Sequence, residues 1–526
     1  MGIPSYFSHI VKNHRDIIKK INTLKKVDNL YLDCNSIIYD AVRTIEYKKN
    51  NMEFERQLIN ATCKKLDEYI TSIKPRKRVF IAFDGVAPVA KLEQQRNRRY
   101  KSWFQNEVIK EFGEQPDNWN TSSITPGTQF MTKLNNHIRD YFNNPEQYGL
   151  DQIIVSTSNE PGEGEHKLFE YIRNNEEYHK NTDTVIYGLD ADLIMLTINH
   201  LSISDRLYLF RETPHFIASI DSSLDPECLY MIDIPALTET IITYMNNNRT
   251  PNSKQKKNRI YDYIFLCFFL GNDFMPHFPS VNIRTSGIDI LMGAYKRVIG
   301  NSNDNLTDGR KIYWKNVRKL IQYLSDNERK NLQAEHARRD KQARRGFNGN
   351  TAKEKENKFM QIPIQERTIE KYINPFDRSW EERYYYMLFD MDIDDVRKKQ
   401  ICVNYLEALE WTMKYYTHGC VDWRWCYNYD YAPLLCDLIK YVPYFDTEFL
   451  EIKEKNPVKS LVQLCYVLPG SGLNLLPEDL WKNLIEKHKD WYGSNWKFKW
   501  SYCKYFWEAH AIMPEIDIKA LELLIK

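Results

Sequence analysis

The segment Asn29-Leu-Tyr-Leu-Asp33 is a short apolar run that ends on an acidic residue. Three later runs have the same character and end at, or just before, acidic residues: Val79–Asp84 (VFIAFD), Ile153–Thr157 (IIVST) and Thr184–Asp190 (TVIYGLD). Segments with helical patterns separate the runs. Strands too apolar to face water, alternating with helices, are typical of a buried parallel sheet whose ligand crevice lies at the carboxyl ends of the strands. The sequence therefore predicts an α/β fold with a mostly parallel central sheet flanked by helices.

The length of the chain predicts more than one lobe. Its 526 residues exceed what a single hydrophobic core usually organises. The composition becomes polar and charged after about residue 300, and Gln333–Lys358 reads QAEHARRDKQARRGFNGNTAKEKENK. We predict a first domain over residues 1–300, a charged connector over 301–360 and a second, aromatic-rich lobe over 361–526 that packs against the first. The connector is interpreted as a solvated, partly helical segment in preference to a dedicated RNA-binding arm.

Composition and charge limit where the chain works and how it meets a partner. The formal net charge is +2, so any polyanion must be held by a local basic patch. The ten cysteines include no CxxC pair, which favours a reducing compartment. The N-terminus lacks the layout of a signal peptide, and the longest apolar run, Tyr263–Leu270, is too short to span a bilayer. We expect an intracellular protein without a membrane span, cytoplasmic in preference to nuclear, and monomeric.

Seven acidic residues lie at or beside the predicted strand ends. They are Asp33, Asp84, Glu163, Glu165, Asp190, Asp192 and Asp273. Any one of them alone is more simply a helix cap or a turn residue. Together in one crevice they would repel each other unless cations neutralised them, and oxygen ligands without a zinc-type His/Cys set favour Mg²⁺, with Mn²⁺ as a substitute. Two such ions about 4 Å apart are suited to phosphodiester hydrolysis.

A basic helix follows the second acid. Lys91, Gln95, Arg98 and Arg99 stand at positions i, i+4, i+7 and i+8, which places three cations and an amide on one helix face. Guanidinium groups with a lysine suit a terminal phosphate monoester, which carries more charge than an internal diester. The alternative is a solvated basic face. The neighbouring Asp84 favours the phosphate site.

These segments form a pattern that resembles a known family. They read MGIPSYF, LYLDCNSIIYD, AFDGVAPVAKLEQQRNRR, SITPGTQFM, SNEPGEGEHK, YGLDADLIML and FLGNDFMPHFPS. Together they resemble the first conserved region of the XRN-type 5′→3′ exoribonucleases, and WTMKYYTHGCVDWRWCYNYDYAPL, LVQLCYVLPGSGLNLLP and WEAHAIMP resemble the second. The order of so many motifs is far more specific than a lone GEGE or DAD.

The resemblance implies a PIN/FEN-like nuclease core in the first domain, with the second lobe completing its active-site channel. The seven acids would be the catalytic, metal-binding residues, and the basic helix the pocket for a 5′-monophosphate. The family grips the first base between a histidine and a tryptophan; here Tyr39 stands at the histidine position. Among Trp411, Trp423 and Trp425 we prefer Trp425 as the stacking partner, although each is more simply a core aromatic.

The expected function is Mg²⁺-dependent 5′→3′ hydrolysis of 5′-monophosphorylated single-stranded RNA to mononucleotides, as in RNA turnover. One alternative is a flap-endonuclease-like enzyme that cuts branched DNA, because that related group shares the clustered acids and the α/β core. The other is an RNA-binding scaffold without catalytic activity, which the presence of all seven acids disfavours. The chain is expected to lack the long C-terminal extension that binds partners in larger family members.

Overall fold

The computed structural model describes Ile3 and residues 5–113, 118–211, 224–225, 228–344, 346, 349–493 and 497–525. Parts of the MGIPSYF motif and of the charged connector lie outside these described residues. No helix in the described ranges is both long enough and apolar enough to cross a membrane. All ten cysteines are free thiols.

A seven-stranded sheet forms the centre of the first part of the chain, in the order β1-β7-β6-β5-β2-β3-β4. The strands are β1 (Ile18–Lys20), β2 (Asn29–Asp33), β3 (Arg78–Ala82), β4 (Gln152–Ser156), β5 (Thr184–Tyr187), β6 (Leu207–Arg211) and β7 (Tyr230–Ile232). Strands β4, β3, β2, β5 and β6 are parallel, whereas β7 and β1 add an antiparallel edge. The predicted mostly parallel α/β sheet is confirmed, and the four apolar runs are four adjacent strands.

Helices cover both faces of the sheet. The helices that come before β7 in the chain are α1 (Tyr6–Asn13), α2 (Asn35–Thr44), α3 (Asn51–Ile73), α4 (Val89–Lys110), α5 (Gln129–Tyr141), α6 (Gly164–Asn174), α7 (Glu176–His179) and α8 (Asp192–His200). Then come α9 (Ile234–Met245), α10 (Ser253–Phe268), α11 (Gly287–Val298), α12 (Trp314–Ala343), α13 (Ala352–Met360), α14 (Ile362–Gln365), α15 (Thr368–Ile373), α16 (Trp380–Phe389) and α17 (Asp395–His418). The last are α18 (Leu435–Tyr441), α19 (Ser460–Val467), α20 (Glu478–Lys487) and α21 (Ile518–Leu524), with the hairpin β8 (Lys497–Lys499) and β9 (His510–Ile512) before α21.

Alternate residues of each strand enter different cores, because successive side chains of a strand point to opposite faces. Tyr31 of β2 packs in the larger core cluster, while Leu30 and Leu32 pack in the second. The larger cluster continues without interruption into Trp314 of α12 and Trp411 of α17. The aromatic-rich lobe is therefore packed directly against the sheet domain, as expected.

Helix α12 runs through the predicted charged connector. Trp314, Val317, Leu320, Ile321 and Leu324 recur at helical spacing and are buried in the larger core cluster. The buried face continues through Leu332 to Arg339. The expectation of a solvated segment is therefore wrong for this helix, because a narrow stripe within a mostly charged sequence is enough to bury one face. The boundaries of the three domains stay a prediction.

Candidate active site

The predicted acids meet at the carboxyl ends of the parallel strands. Asp33 is the last residue of β2, and Asp84 follows β3 in the neighbouring position of the sheet. Glu163 is the residue directly before α6, without a capping hydrogen bond from its side chain, and Glu165 lies in the first turn of the helix. Oxygens of Asp33, Asp84 and Glu165 all lie within 4.8 Å of one another. The parallel topology thus brings together acids from three separate motifs.

The N-terminus of α6 lies close to two of these acids, Asp33 and Asp84. The backbone N–H of Gly164 donates to Oδ1 of Asp84 at 2.7 Å, and Nδ2 of Asn35 donates to Oδ2 at 2.6 Å. A Cβ atom on Gly164 would lie 2.4 Å from Oδ1 of Asp33. Only glycine at this position lets the helix terminus reach the carboxylates without displacing Asp33.

Burial and mutual repulsion make the charged forms of these acids costly. Burial, and next the charge of Asp84, raises the pKa of Asp33 well above its usual value. Burial, and next the charge of Asp273, raises the pKa of Asp192 to about 7. Within the described part of the chain, Oδ1 of Asp33 and Oδ1 of Asp192 are buried without a hydrogen-bond partner. The carboxylate oxygens of Asp33, Asp84 and Glu165 fit hard divalent cations such as Mg²⁺, and a second group of possible ligands joins Glu163 and Glu165 with His166.

Lys91, predicted to bind phosphate, lies among the acids. Its Nζ is 2.5 Å from Oε2 of Glu163 and 2.7 Å from Oδ2 of Asp273. Although burial opposes it, the ammonium of Lys91 holds the pKa of Asp273 below its usual value. Lys91 therefore joins the basic helix α4 directly to the acidic cluster.

The other residues of the basic helix lie further along α4. Nη2 of Arg99 donates to Oγ1 of Thr125 at 2.6 Å, in the SITPGTQFM segment, and burial lowers the pKa of Arg99 to about 10. Among the described atoms, Nη1 of Arg99 and Oε1 of Gln95 are buried without partners. Arg98 lines a cavity of about 1340 Å³ that also contacts Asp273. From Lys91 at the acids, Gln95 and Arg99 follow one side of α4, and Arg98 lines the cavity.

The residues predicted to stack on a base lie in different surroundings. Tyr39 is half-buried on α2 and is close enough to Arg99 to affect its charge. Trp425 is only 9% exposed, and its ring stacks on Trp411 at 5.1 Å. Trp411 is fully buried, whereas Trp423 is half-buried. The preferred Trp425 therefore has little surface for a base, in line with the alternative that it is a core aromatic, and Trp423 is the more accessible ring.

Two tyrosines of α17 contact the acids and were not singled out from the sequence. The hydroxyl of Tyr415 donates to Oε1 of Glu163 at 2.8 Å, and Tyr416 is close enough to Asp192 to lower the pKa of that carboxyl against the effect of burial. The Tyr415 ring also stacks on His166 at 3.8 Å. Their only signal in the sequence was the adjacent pair in WTMKYYTHG. The second lobe therefore contributes directly to the environment of the acidic cluster.

Family models match nearly the whole chain. The model described as XRN 5′-3′ exonuclease N-terminus matches residues 1–213, and the model described as Xrn1 helical domain matches residues 254–375 and 365–525. The structure is also similar to the catalytic core of Rad2 in complex with a DNA substrate, with a TM-score of 0.37 and 13% identity over 84% of this chain and 95% of that one.

Curated relatives share about a quarter of their residues with this chain. It is similar to 5′-3′ exoribonuclease 2 of Arabidopsis thaliana, with 27% identity over 99% of this chain and 66% of the relative, and to the Drosophila melanogaster homologue, with 26% identity over 99% and 70%. It is 28% identical to human 5′-3′ exoribonuclease 1 over 99% of this chain and 34% of the human protein. The chain thus spans from about a third to about two thirds of the length of these relatives. With both family models matched in order along the chain, the protein belongs to the XRN family of 5′-3′ exonucleases.

Proposed function

We propose that this chain is a Mg²⁺-dependent 5′→3′ exoribonuclease that hydrolyses 5′-monophosphorylated single-stranded RNA to mononucleotides. The proposal rests on the position of Lys91, which links the acidic cluster to the basic helix α4. Its ammonium bridges Glu163 and Asp273 in the acidic cluster, and it belongs to the same helix as Gln95 and Arg99. A site for a terminal phosphate beside a site for phosphodiester hydrolysis is the arrangement that an enzyme acting from the 5′ end requires.

The seven acids are proposed to hold the metal. Asp33, Asp84 and Glu165 have the mutual distances for one ion, and Lys91 pairs with Asp273, whose charge in turn acts on Asp192. Bound Mg²⁺ would supply the activation of a water and the stabilisation of the leaving oxygen. The protein's own contribution is to orient the carboxylates, through Asn35 and Gly164 on Asp84 and through Tyr415 on Glu163.

The basic helix is proposed to set the direction of degradation. Nη1 of Arg99 is a buried donor without a partner among the described residues, and it can bind an oxygen of a 5′-phosphate. Gln95 would contribute the N–H groups of its side-chain amide. A strand held by its terminal phosphate presents its first internal phosphodiester to the nearby acids. Each cut then releases one nucleotide 5′-monophosphate and creates a new 5′-phosphate end. A triphosphate or cap should not fit a pocket closed around one phosphate group.

The test is digestion of internally labelled RNA that differs only at its 5′ end. RNA with a 5′-monophosphate should be degraded to mononucleotides in Mg²⁺ and remain intact in EDTA, while 5′-triphosphate and 5′-hydroxyl RNAs are degraded much more slowly. Circular RNA and branched DNA should remain intact. Cleavage of branched DNA in preference to RNA would instead favour the flap-endonuclease alternative, and binding without hydrolysis of any RNA would favour a scaffold.

We also propose that the protein acts in the cytoplasm as a monomer. Ten free cysteines, six of them buried, support a reducing compartment. Size-exclusion chromatography with light scattering tests the oligomeric state, and localisation of a tagged chain tests the compartment.

A further inference from the structure

Helix α4 has a second polar face, which the proposed mechanism does not use. Glu93, Arg96 and Asn97 stand at positions i, i+3 and i+4 of this helix. With about 3.6 residues per turn, they lie on the opposite side of α4 from Gln95 and Arg99. One side of α4 is therefore free to bind substrate while the other contacts a different part of the protein.

The second polar face of α4 contacts the strand β9 and the residues that follow it. Nη2 of Arg96 donates to the carbonyl of Pro514 at 2.6 Å. Oδ1 of Asn97 accepts a hydrogen bond from the N–H of Ala511 in β9 at 3.5 Å. Each of these hydrogen bonds joins positions more than four hundred residues apart, so the second lobe determines where α4 lies.

The N-terminal part of α4 is also bound to α19 of the second lobe. The N–H of Ala87, just before α4, donates to Oε1 of Gln463 at 3.0 Å. The hydroxyl of Tyr466 donates to Oε1 of Glu93. Leu92 is fully buried in one hydrophobic cluster with residues of α19. The second lobe therefore holds the first turns of α4 through both polar and apolar contacts.

The guanidinium of Arg96 is the most deeply buried of these polar groups. Arg96 is only 2% exposed, and its guanidinium carbon lies 5.4 Å from the ring centroid of Tyr466 and 5.7 Å from that of Tyr100. Its Nε is buried without a hydrogen-bond partner in the part of the chain that the structure describes. Because burying a charge is costly, this arrangement favours a role in fixing geometry over a role in stability.

We propose that Arg96 is a positioning residue for the 5′-phosphate pocket. Its hydrogen bond to Pro514 fixes α4 against the second lobe and so holds Gln95 and Arg99 where they bind the terminal phosphate. The proposal rests on the proposed function, because it takes Gln95 and Arg99 as phosphate-binding residues. Arg96 lies on the other side of the helix and would not touch the RNA. The second lobe would thus contribute to the choice of RNA end through a residue that makes no contact with that end.

The experiment measures kcat and KM on two RNAs that differ only in a 5′-monophosphate or a 5′-hydroxyl end. Arg96→Met keeps much of the apolar stem and removes the donor to Pro514. The ratio of kcat/KM for monophosphate over hydroxyl RNA should fall about 2- to 30-fold, as expected for a residue that acts without contacting the ligand. The fall should come from a higher KM on monophosphate RNA, with kcat nearly unchanged. Arg96→Lys keeps a donor for the carbonyl and should recover most of the selectivity.

Two further variants separate a positioning role from a loss of stability. Arg318→Met is the matched control, because Arg318 is a half-buried arginine that donates to the carbonyl of Ile439 and joins α12 to α18. It should keep the wild-type ratio even where it lowers the unfolding temperature. Tyr466→Phe removes the hydroxyl that binds Glu93 and keeps the ring in the core. This milder change should lower the ratio in the same direction as Arg96→Met.

The outcomes distinguish this role from the proposed function. A wild-type ratio in Arg96→Met overturns the positioning role, and so do equal losses on both RNAs, which would mark Arg96 as purely structural. Where Arg96→Met fails to fold, an unchanged ratio in Tyr466→Phe overturns it. A wild-type enzyme that degrades both RNAs equally well contradicts the proposed function together with this role, whereas a selective wild type beside an equally selective Arg96→Met contradicts the role alone.

Discussion

The acids of the cluster differ in whether their carboxylate oxygens have hydrogen-bond partners. Both oxygens of Asp84 accept hydrogen bonds, from Asn35 and Gly164. Asp33 and Asp192 each keep one buried oxygen that has no partner among the described residues. In a buried cluster, an oxygen without a partner destabilises the fold unless a cation or a proton binds to it. Asp33 and Asp192 are therefore the residues whose contribution to metal binding should be clearest.

Asp192→Asn should abolish hydrolysis while preserving the fold. Loss of an outer-shell partner costs roughly 10- to 100-fold in metal affinity or activity, so loss of a direct ligand should cost more than about 100-fold. The substitution removes a charge that burial disfavours, so the unfolding temperature in EDTA should stay equal or rise. Activity assays and thermal unfolding check this. Asp151→Asn, at an exposed aspartate before β4, is the control, and an Asp192→Asn enzyme within tenfold of wild type would contradict the metal assignment.

Arg99→Ala should weaken the enzyme selectively for one kind of RNA end. A lost charge-assisted hydrogen bond costs about 1.5–3 kcal/mol, so kcat/KM on 5′-monophosphate RNA should fall about 10- to 150-fold. RNA with a 5′-hydroxyl should be affected little. Lys110→Ala, at an exposed lysine in the last turn of α4, should leave both substrates unchanged. If Arg99→Ala lowers kcat/KM equally on 5′-monophosphate and 5′-hydroxyl RNA, the basic helix is a general phosphate-binding face instead of a pocket for the terminal phosphate.

At the scale of elements, α17 joins the second lobe to the acids. Tyr415→Phe removes one hydroxyl donor from Glu163 and keeps the ring that packs on His166. The Mg²⁺ concentration for half-maximal activity should therefore rise about tenfold, as expected for an outer-shell partner. Tyr384→Phe is the matched control, because its buried hydroxyl donates to the carbonyl of Ala432 away from the site. An unchanged Mg²⁺ requirement in Tyr415→Phe would show that the hydroxyl does not position Glu163.

Helix α12 is joined to α18 by a buried carboxylate. Both oxygens of Glu328 accept backbone N–H groups, from Leu435 and Cys436, and burial raises the pKa of Glu328 to about 7. Because the folded state then binds a proton that the unfolded state releases near pH 4.5, this group's contribution to stability falls as the pH rises from 4.5 to 7 and is constant above. Relative to Glu328→Gln, the unfolding free energy of wild type should fall by up to about 3 kcal/mol across this range. Denaturant titrations at several pH values test this, and parallel curves for the two proteins would contradict it.

At the scale of the whole molecule, metal binding should stabilise the fold. The acids come from β2, from loops after β3 and β5, and from α6, α8 and the segment after α10, so a cation that neutralises them joins elements far apart in the chain. Mg²⁺ at 100 times its dissociation constant should stabilise the protein by about 2.7 kcal/mol. Thermal unfolding measures this, with NaCl of equal ionic strength as the control. Asp192→Asn should reduce the Mg²⁺ effect, and equal stabilisation by NaCl would exclude specific binding.

The regular strands were predictable because their pattern is local. Four apolar runs became β2, β3, β4 and β5, with strand ends close to those expected. Strand β6 (LYLFR) and the antiparallel edge formed by β7 and β1 were not predicted. Strands β7 and β1 have three residues each, which is too short to show a pattern. The core face of α12 was missed because charged residues surround its apolar stripe.

By itself, the sequence determined the mostly parallel sheet and placed acidic residues at one edge of it, because the carboxyl ends of adjacent parallel strands must meet wherever those strands pair. It also placed Lys91, Gln95 and Arg99 on one side of a helix, since helical spacing is local. Only the tertiary structure decided that Lys91 lies between Glu163 and Asp273 and that Trp425 is buried. It alone brought Tyr415 to Glu163 across 252 positions of the chain. Such contacts depend on how two lobes pack against each other, and no local periodicity in the sequence records that packing.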